Sequence, residues 1–406
     1  MSAPATLITT LCVALVLVMI GFMPVAAVLP SIFADWDISE AEAGWLNGVY
    51  FGGYALGVPV LLPLTDRMDA RRVLLGATVL AAIGGFGFAL LADGLWAGIL
   101  FRVIAGIGLA GFHFPALKLI ADRLEGSAQR RGSATYISMF SIGGSMSFLG
   151  AGAIEIFLHW KWVFTISGWA AVAAFLLILV IVPPAGRAPV ARGGAFLDVG
   201  AVWRNREARR FIAAYFGHVW EVFAMRGWSV ALLGYSASRP GNEAFSGWNF
   251  AIVSGAISLL MMPTSIGLAE LAGRFGRPRV VAAATVATAG LALLLAASSA
   301  GPFLVVVLLV GLYLMAGFGD TATLAGGIVE ASDAATRGAA LAVYALLGFV
   351  AGMIGPVVFG IVLDWAGGRG DPAAWSWALA SLLLAAAIVA VAMRAGRQPR
   401  DTDVHG

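Results

Sequence analysis

The chain has almost no cysteine and little charge. Cys12 is the only cysteine in 406 residues, which excludes an intrachain disulfide and any cysteine-rich metal centre. The four histidines are scattered, and His159 and His405 fall outside the apolar runs, so neither a metal cluster nor a nucleophile–base pair converges. No Gly-Lys-Ser/Thr loop is present to cradle a phosphate, which argues against ATP as a driving force, and no cofactor is implied. Charged residues make up 12% of the chain, against about 25% in soluble domains. Residues 1–34 carry no charge at all. A secretory signal needs a basic start, so this stretch reads as a first membrane span rather than a leader to be cleaved.

What is there is apolar. Hydrophobic residues make up 60% of the chain, in runs near the ~20 residues that cross ~30 Å of hydrocarbon as a helix. Twelve such runs follow one another: 7–33, 42–64, 73–92, 96–120, 133–157, 160–183, 211–236, 246–269, 279–299, 302–328, 338–364 and 373–393. Lipid-facing backbone must bond to itself, so each is expected to be helical. If the N-terminus is cytoplasmic, 19 of the 25 lysines and arginines fall in cytoplasmic segments and only Lys161, Arg239 and Arg369 in outer loops. That bias predicts both termini inside. Nine of the thirteen tryptophans, among them Trp36, Trp160 and Trp365, sit at the predicted outer ends, where interfacial anchors belong. The net charge of +3 is thus placed for topology and does not point to nucleic acid.

The chain also repeats itself. LTDRMDARRVL at 64–74 matches LAGRFGRPRVV at 271–281, with Arg67/Arg274 and Arg72/Arg279 sharing one offset. AGF recurs at 110–112 and 316–318, and Arg131-Gly132 at Arg337-Gly338, with nearly the same offset, close to half the chain. The expected organisation is an N-terminal six-helix bundle (1–183), a basic cytoplasmic linker (184–210), a C-terminal six-helix bundle (211–393) and a cytoplasmic tail (394–406). Parallel repeats of this kind place a site near the midplane between the halves.

On these residues the sequence resembles the major facilitator superfamily. The basic loop between spans 2 and 3 keeps Asp66, Arg67, Arg71 and Arg72 of that family's Gly-x-Leu-x-Asp-Arg-x-Gly-Arg-Arg pattern, with Leu62 and Asp69 where glycines are usual. Its second copy keeps Gly273-Arg274-Phe275-Gly276-Arg277 and lacks the aspartate. Arg102-x-x-x-Gly106-x-Gly108 in span 4 resembles a motif associated with proton coupling. The Gly-Pro motif of many family antiporters is missing from span 5. The resemblance implies an all-α polytopic membrane protein, with twelve transmembrane helices as two pseudo-symmetric six-helix bundles. Spans 1, 4, 7 and 10 would line a central cavity, and spans 2 and 11, and 5 and 8, would meet across the halves. It implies gating by Asp66, Arg67, Arg71, Arg72, Arg274 and Arg277, beside their role in setting topology. Small residues in spans 2, 5 and 11, including Gly48, Gly52, Gly144, Gly352 and Gly355, suit close helix approach. Ser39-x-x-Glu42 reads as a capping box before span 2.

Ionisable residues inside the spans are costly and usually face protein or water. His218, Glu221 and Arg226 lie in span 7. At 100° per residue they fit an arc about 140° wide. Arg102 and His113 in span 4 lie within about 20° of each other, and span 10 adds Asp320. Lys118 points elsewhere and reads as snorkelling. Two roles compete for these groups. Structural pairs such as Glu221 with Arg102, or Arg226 with Asp320, would explain them, and the histidines could be hydrogen-bonded packing residues. The functional reading makes Arg102, His113, Arg226 and Asp320 cavity residues. It makes Glu221 the proton-coupling carboxyl, with His218 its modulator and Asp320 its rival. Arginines grip carboxylate or phosphate with two hydrogen bonds, which favours an anionic solute. The function expected is therefore secondary active transport of a small anionic or amphipathic solute by alternating access with protons, in a bacterial inner membrane, by a monomer. A scaffold built on the same fold, and a membrane-embedded enzyme, are the alternatives.

Overall fold

The computed structural model describes residues 3–184, 199–333 and 336–394. Arg187, Arg192, Arg397 and Arg400, and most of the expected linker and tail, lie outside the described residues. The N-terminal half runs through α1 (Ala3–Met19), α2 (Pro24–Ala27), α3 (Leu29–Asp35), α4 (Glu40–Leu64), α5 (Ala70–Leu91), α6 (Leu95–Arg123), α7 (Gly126–Glu155) and α8 (Lys161–Ile181). The C-terminal half runs through α9 (Val199–Arg204), α10 (Arg206–Ala237), α11 (Phe250–Phe275), α12 (Arg277–Ser298), α13 (Phe303–Gly319), α14 (Thr321–Glu330), α15 (Arg337–Trp365) and α16 (Pro372–Arg394). Among the described residues, ten helices are long and apolar enough to cross a membrane, with α13 and α14 counted as one.

Two further apolar runs of the sequence take other forms. The first apolar run is broken rather than continuous, because α1 stops at Met19 and Pro24 opens α2. Proline has no N–H to extend the preceding helix and is accepted at a helix's first turn. The seventh is α10, 32 residues or about 48 Å long, which carries Arg226 and Glu221 in its middle. It begins at Arg206, inside the stretch expected to be linker. Asn205 accepts from Ala208 N–H as its N-cap, and Glu207 pairs with Arg210 one turn on. The tenth run breaks at Asp320, after the weak helix-former stretch Gly317-Phe318-Gly319. The capping box at Ser39 and Glu42 is present in both directions.

Across the halves α4 packs on α15 and α7 on α11, the two pairings that the family resemblance implies. Glycines permit it: a Cβ on Gly44 would meet the Pro356 carbonyl at 2.5 Å, and one on Gly48 would collide with the backbone of Met353. Hydrogen bonds and an ion pair join the halves in the arginine-poor part of the bundle. Asp364 accepts from the Glu40 and Ala41 N–H groups at the start of α4, at 3.0 and 2.7 Å. Arg369 reaches Glu40 at 2.9 Å and lies over the Phe33 ring. Asn249 donates to the Gly152 carbonyl, and Asn47 to that of Gly227. At the arginine-rich end Asp66, Arg71, Arg123 and Arg277 make contacts within their own half.

Candidate functional site

The candidate site lies at mid-depth between the halves. Phe51, Gly144 and Arg226 each lie eleven residues from the arginine-poor end of their helices (51 against 40, 144 against 155, 226 against 237). At 1.5 Å per residue that is about 16 Å, half of the ~30 Å apolar layer. Arg226 is 5% exposed. Its guanidinium carbon stands 5.7 Å from the ring centre of Phe148 in α7 and 5.9 Å from that of Phe223 in α10. A Cβ on Gly144 would sit 3.0 Å from its Nη2, so a residue without a side chain lets the guanidinium pack this closely on α7. Among the described residues, no hydrogen-bond acceptor or carboxylate partners this side chain, and its Nε is buried without one. The ring of Phe22 lies edge-on to Phe51 and Phe223, at 5.6 and 6.1 Å.

Arg102 is 3% exposed and is placed differently. It donates to the carbonyls of Gly21 and Phe22, at 2.8 and 2.9 Å, and stacks 4.2 Å over Tyr50. Those carbonyls belong to the break between α1 and α2, where the chain has no helical N–H groups to offer them. Arg102 therefore pins the break. His113 faces Tyr54 Oη through Nδ1 at 2.8 Å and packs among the rings of Phe114, Tyr136 and Phe140.

The other charges of α10 turn into the C-terminal half. Glu221 accepts from Thr288 of α12 and Tyr313 of α13, both at 3.4 Å, and no cation pairs with it among the described residues. His218 Nδ1 stands 2.6 Å from Asp320 Oδ1, within ion-pair distance though off the line of a good hydrogen bond. Its Nε2 is 3.0 Å from Thr321 Oγ1, whose hydroxyl donates to the Phe318 carbonyl at 2.7 Å. The two ring nitrogens of His218 thus face Thr321 on one side and Asp320 on the other. The 140° arc on α10 thus divides: His218 and Glu221 face the interior of their own half, and Arg226 faces the other half. Neither the Glu221–Arg102 nor the Arg226–Asp320 pair forms.

The loop residues make local contacts. Asp66 is 3.7 Å from Lys118, which also holds Asp122. Arg71 donates to the Leu179 carbonyl, Arg123 reaches Asp69 and the Pro183 carbonyl, and Arg277 pairs with Glu330. Arg67, Arg72 and Arg274 are exposed. Sequence reasoning did not pick out Phe148, Phe223, Thr288, Tyr313 or the Glu40–Asp364–Arg369 cluster. The spacing of Phe223 and Arg226, three apart on one helix face, was the only local signal for any of them.

Residues 11–326 match the family model described as Major Facilitator Superfamily. Protein spinster homolog 1 of Homo sapiens is 24% identical over 186 residues, which cover 45% of this chain and 35% of that protein. A niacin transporter of Acinetobacter baylyi is 24% identical over 154 residues, 38% of this chain and 35% of that protein. The chain thus spans 35% of the length of each of these curated relatives. The crystal structure of the nucleoside transporter NupG superposes with a TM-score of 0.76 at 16% identity, covering 97% of this chain and 99% of that one.

Proposed function

The chain belongs to the major facilitator superfamily, a multi-pass integral membrane fold, and on that premise we propose that it is a secondary active transporter of a small organic anion, working by alternating access with protons. The reading takes twelve spans in two bundles, 1–183 and 211–393, with both termini on the cytoplasmic side of a bacterial inner membrane. One observation carries the anion: Arg226, buried at mid-depth between the halves, has no partner of its own among the described residues. Burying an unpaired charge is expensive, and a ligand carboxylate would offset that penalty.

Alternating access is supported by where the halves touch. Glu40, Asp364, Arg369 and Asn249 join the halves at the arginine-poor end, while Asp66, Arg71 and Arg277 bond within their own halves at the other. With the arginine-rich end cytoplasmic, this arrangement is closed on the outer side. Coupling is assigned to the polar cluster in the C-terminal half. Glu221 carries the transported proton, with His218, set against Asp320, as its modulator. Solute bound at Arg226 and protons bound at Glu221 share one helix, α10, through which each site biases the other.

The test uses the full-length protein in proteoliposomes, screened for proton flux against small organic anions and amphipathic compounds. Wild type moves protons with a solute, and Glu221→Gln abolishes that flux while solute counterflow survives. Undiminished proton flux in Glu221→Gln moves the role to Asp320. No uptake, efflux or counterflow of any solute by the inserted protein favours a scaffold over a transporter.

A further inference from the structure

A groove of about 520 Å³ runs along α5 where it meets α6 and α8, away from the contact between the halves. Its walls include Val79, Ile83, Phe86, Leu90, Phe101 and Phe175. Two glycines shape it. A Cβ on Gly87 would run into the Phe101 ring, and one on Gly168 would stand 2.8 Å from the Phe86 ring. Both rings can therefore seat against a neighbouring helix and line the groove rather than fill it. Among the described residues, Thr78 is the one polar side chain in the lining, and its hydroxyl donates to the Leu75 carbonyl at 2.8 Å. The groove offers a ligand carbon surface, and Val79, Ile83 and Leu90 are exposed along it.

Length and charge say what fits. From Thr78 to Leu91 (91 against 78) α5 rises about 20 Å, enough to cross one leaflet, ~15 Å of a ~30 Å apolar layer. The Leu91 end lies at the level of Trp96 and Trp162, both exposed as interfacial anchors are. Two charges stand there. Asp93 follows Leu91 by two residues, and its carboxylate is 3.6 Å from Lys161 Nζ. Lys161 precedes Val172 of the groove wall by eleven residues, about 16 Å along α8 and only about 20° around it, so it stands over the groove. The pair is loose and exposed, which leaves donors on Lys161 and lone pairs on Asp93 for other partners. We infer that the groove holds an acyl chain of a phospholipid in the leaflet at the arginine-poor end, one whose headgroup joins a phosphate to a primary ammonium. Lys161 takes the phosphate and Asp93 the ammonium. A glycerol headgroup would leave Asp93 unmatched, and a choline has no N–H to donate to it. This site depends on the membrane fold and not on the solute.

Photolabelling of the full-length protein in mixed micelles tests the assignment, with a phosphatidylethanolamine carrying a diazirine near the end of one acyl chain. Modified residues are mapped by mass spectrometry. Labelling should concentrate at Val79 and exceed that at Val286, which is exposed and lies nine residues into α12 as Val79 lies nine into α5 (286 against 277, 79 against 70). Unlabelled phosphatidylethanolamine should displace the Val79 signal at roughly twofold to fivefold lower concentration than phosphatidylglycerol or phosphatidylcholine with the same chains, the worth of an exposed ion pair. At Val286 the three should compete alike. Asp93→Asn should remove the margin, and Lys161→Gln should weaken all three lipids, since each carries a phosphate. Ala82→Phe and Ile83→Trp fill the groove and leave the headgroup residues in place. Whichever of them melts with wild type should lose the enrichment at Val79. Equal labelling of Val79 and Val286 in wild type, or enrichment that persists in a folded filled variant, overturns the groove as a lipid site. Equal competition by the three lipids at Val79 overturns the headgroup assignment.

Discussion

Arg102 and Arg226 are both arginines buried in apolar helices, 3% and 5% exposed, and the molecule treats them in opposite ways. Arg102 in the N-terminal half spends its fork on two carbonyls at a helix break and its face on Tyr50. Its charge answers a need of the backbone. Arg226 in the C-terminal half meets two phenyl rings and a glycine, and no oxygen among the described residues. Nothing in the fold calls for its charge. Burial alone therefore does not mark a binding residue, since buried polar groups are normally satisfied. The informative case is the buried group whose partner is missing.

That contrast can be broken from either side. The largest effect is expected at Arg102. Arg102→Gln removes two charge-assisted bonds and strands the Gly21 and Phe22 carbonyls, a loss of about 3–5 kcal/mol in stability. Thermal unfolding in detergent and the yield of inserted protein check it. An unchanged melting temperature would make the clamp incidental. At Arg226 the loss should fall on function. Arg226→Gln is expected to weaken anion binding or transport by roughly tenfold to a hundredfold, about 1.4–2.8 kcal/mol, with the protein still inserted. Transport at the wild-type rate would remove Arg226 from the site.

A third change acts on the closed end, away from both arginines. Asp364→Ala uncaps α4 and loosens Arg369, so about 1–2 kcal/mol of the bias toward this arrangement should go. A cysteine introduced at Ala41 should then label faster with an impermeant maleimide, and equal labelling would mean the contact is not a latch. The smallest effect is expected at Asp66→Asn. Its contact with Lys118 is 3.7 Å long and half exposed, worth at most about 1 kcal/mol. A large loss of transport in Asp66→Asn, with stability unchanged, would reveal a gating role that its local contacts do not require.

Much of the architecture was legible in the residues. Apolar run length marked the helices, Ser39 and Glu42 marked a helix start, and glycines at four-residue spacing marked the face where α4 meets α15. The breaks were harder. Pro24 opens α2 after the break, yet nothing in the periodicity of α6 says that Arg102 closes over that break, because the contact spans 81 residues of chain. The site was half legible. A charge within an apolar run is conspicuous, so His218, Glu221 and Arg226 stood out. A helical wheel gives direction around one helix and not the identity of the neighbour. An arc of about 140° covers two neighbours, and here Glu221 meets α12 and α13 while Arg226 meets α7. The aromatic walls were least legible, since phenylalanine is unremarkable in a membrane helix until its partner is known.

The central claim is that Arg102 serves the fold and Arg226 serves a ligand, and the sign of two stability changes tests it most directly. Thermal unfolding of the ligand-free protein should be measured for wild type, Arg102→Gln and Arg226→Gln in the same detergent. A buried charge without a partner destabilises its host, and this penalty of several kcal/mol outweighs the ~0.5–2 kcal/mol of its contacts with Phe148 and Phe223. Arg226→Gln should therefore melt above wild type, and Arg102→Gln well below it. If both variants melt below wild type by similar amounts, Arg226 is a structural residue like Arg102, and the account of the site is wrong.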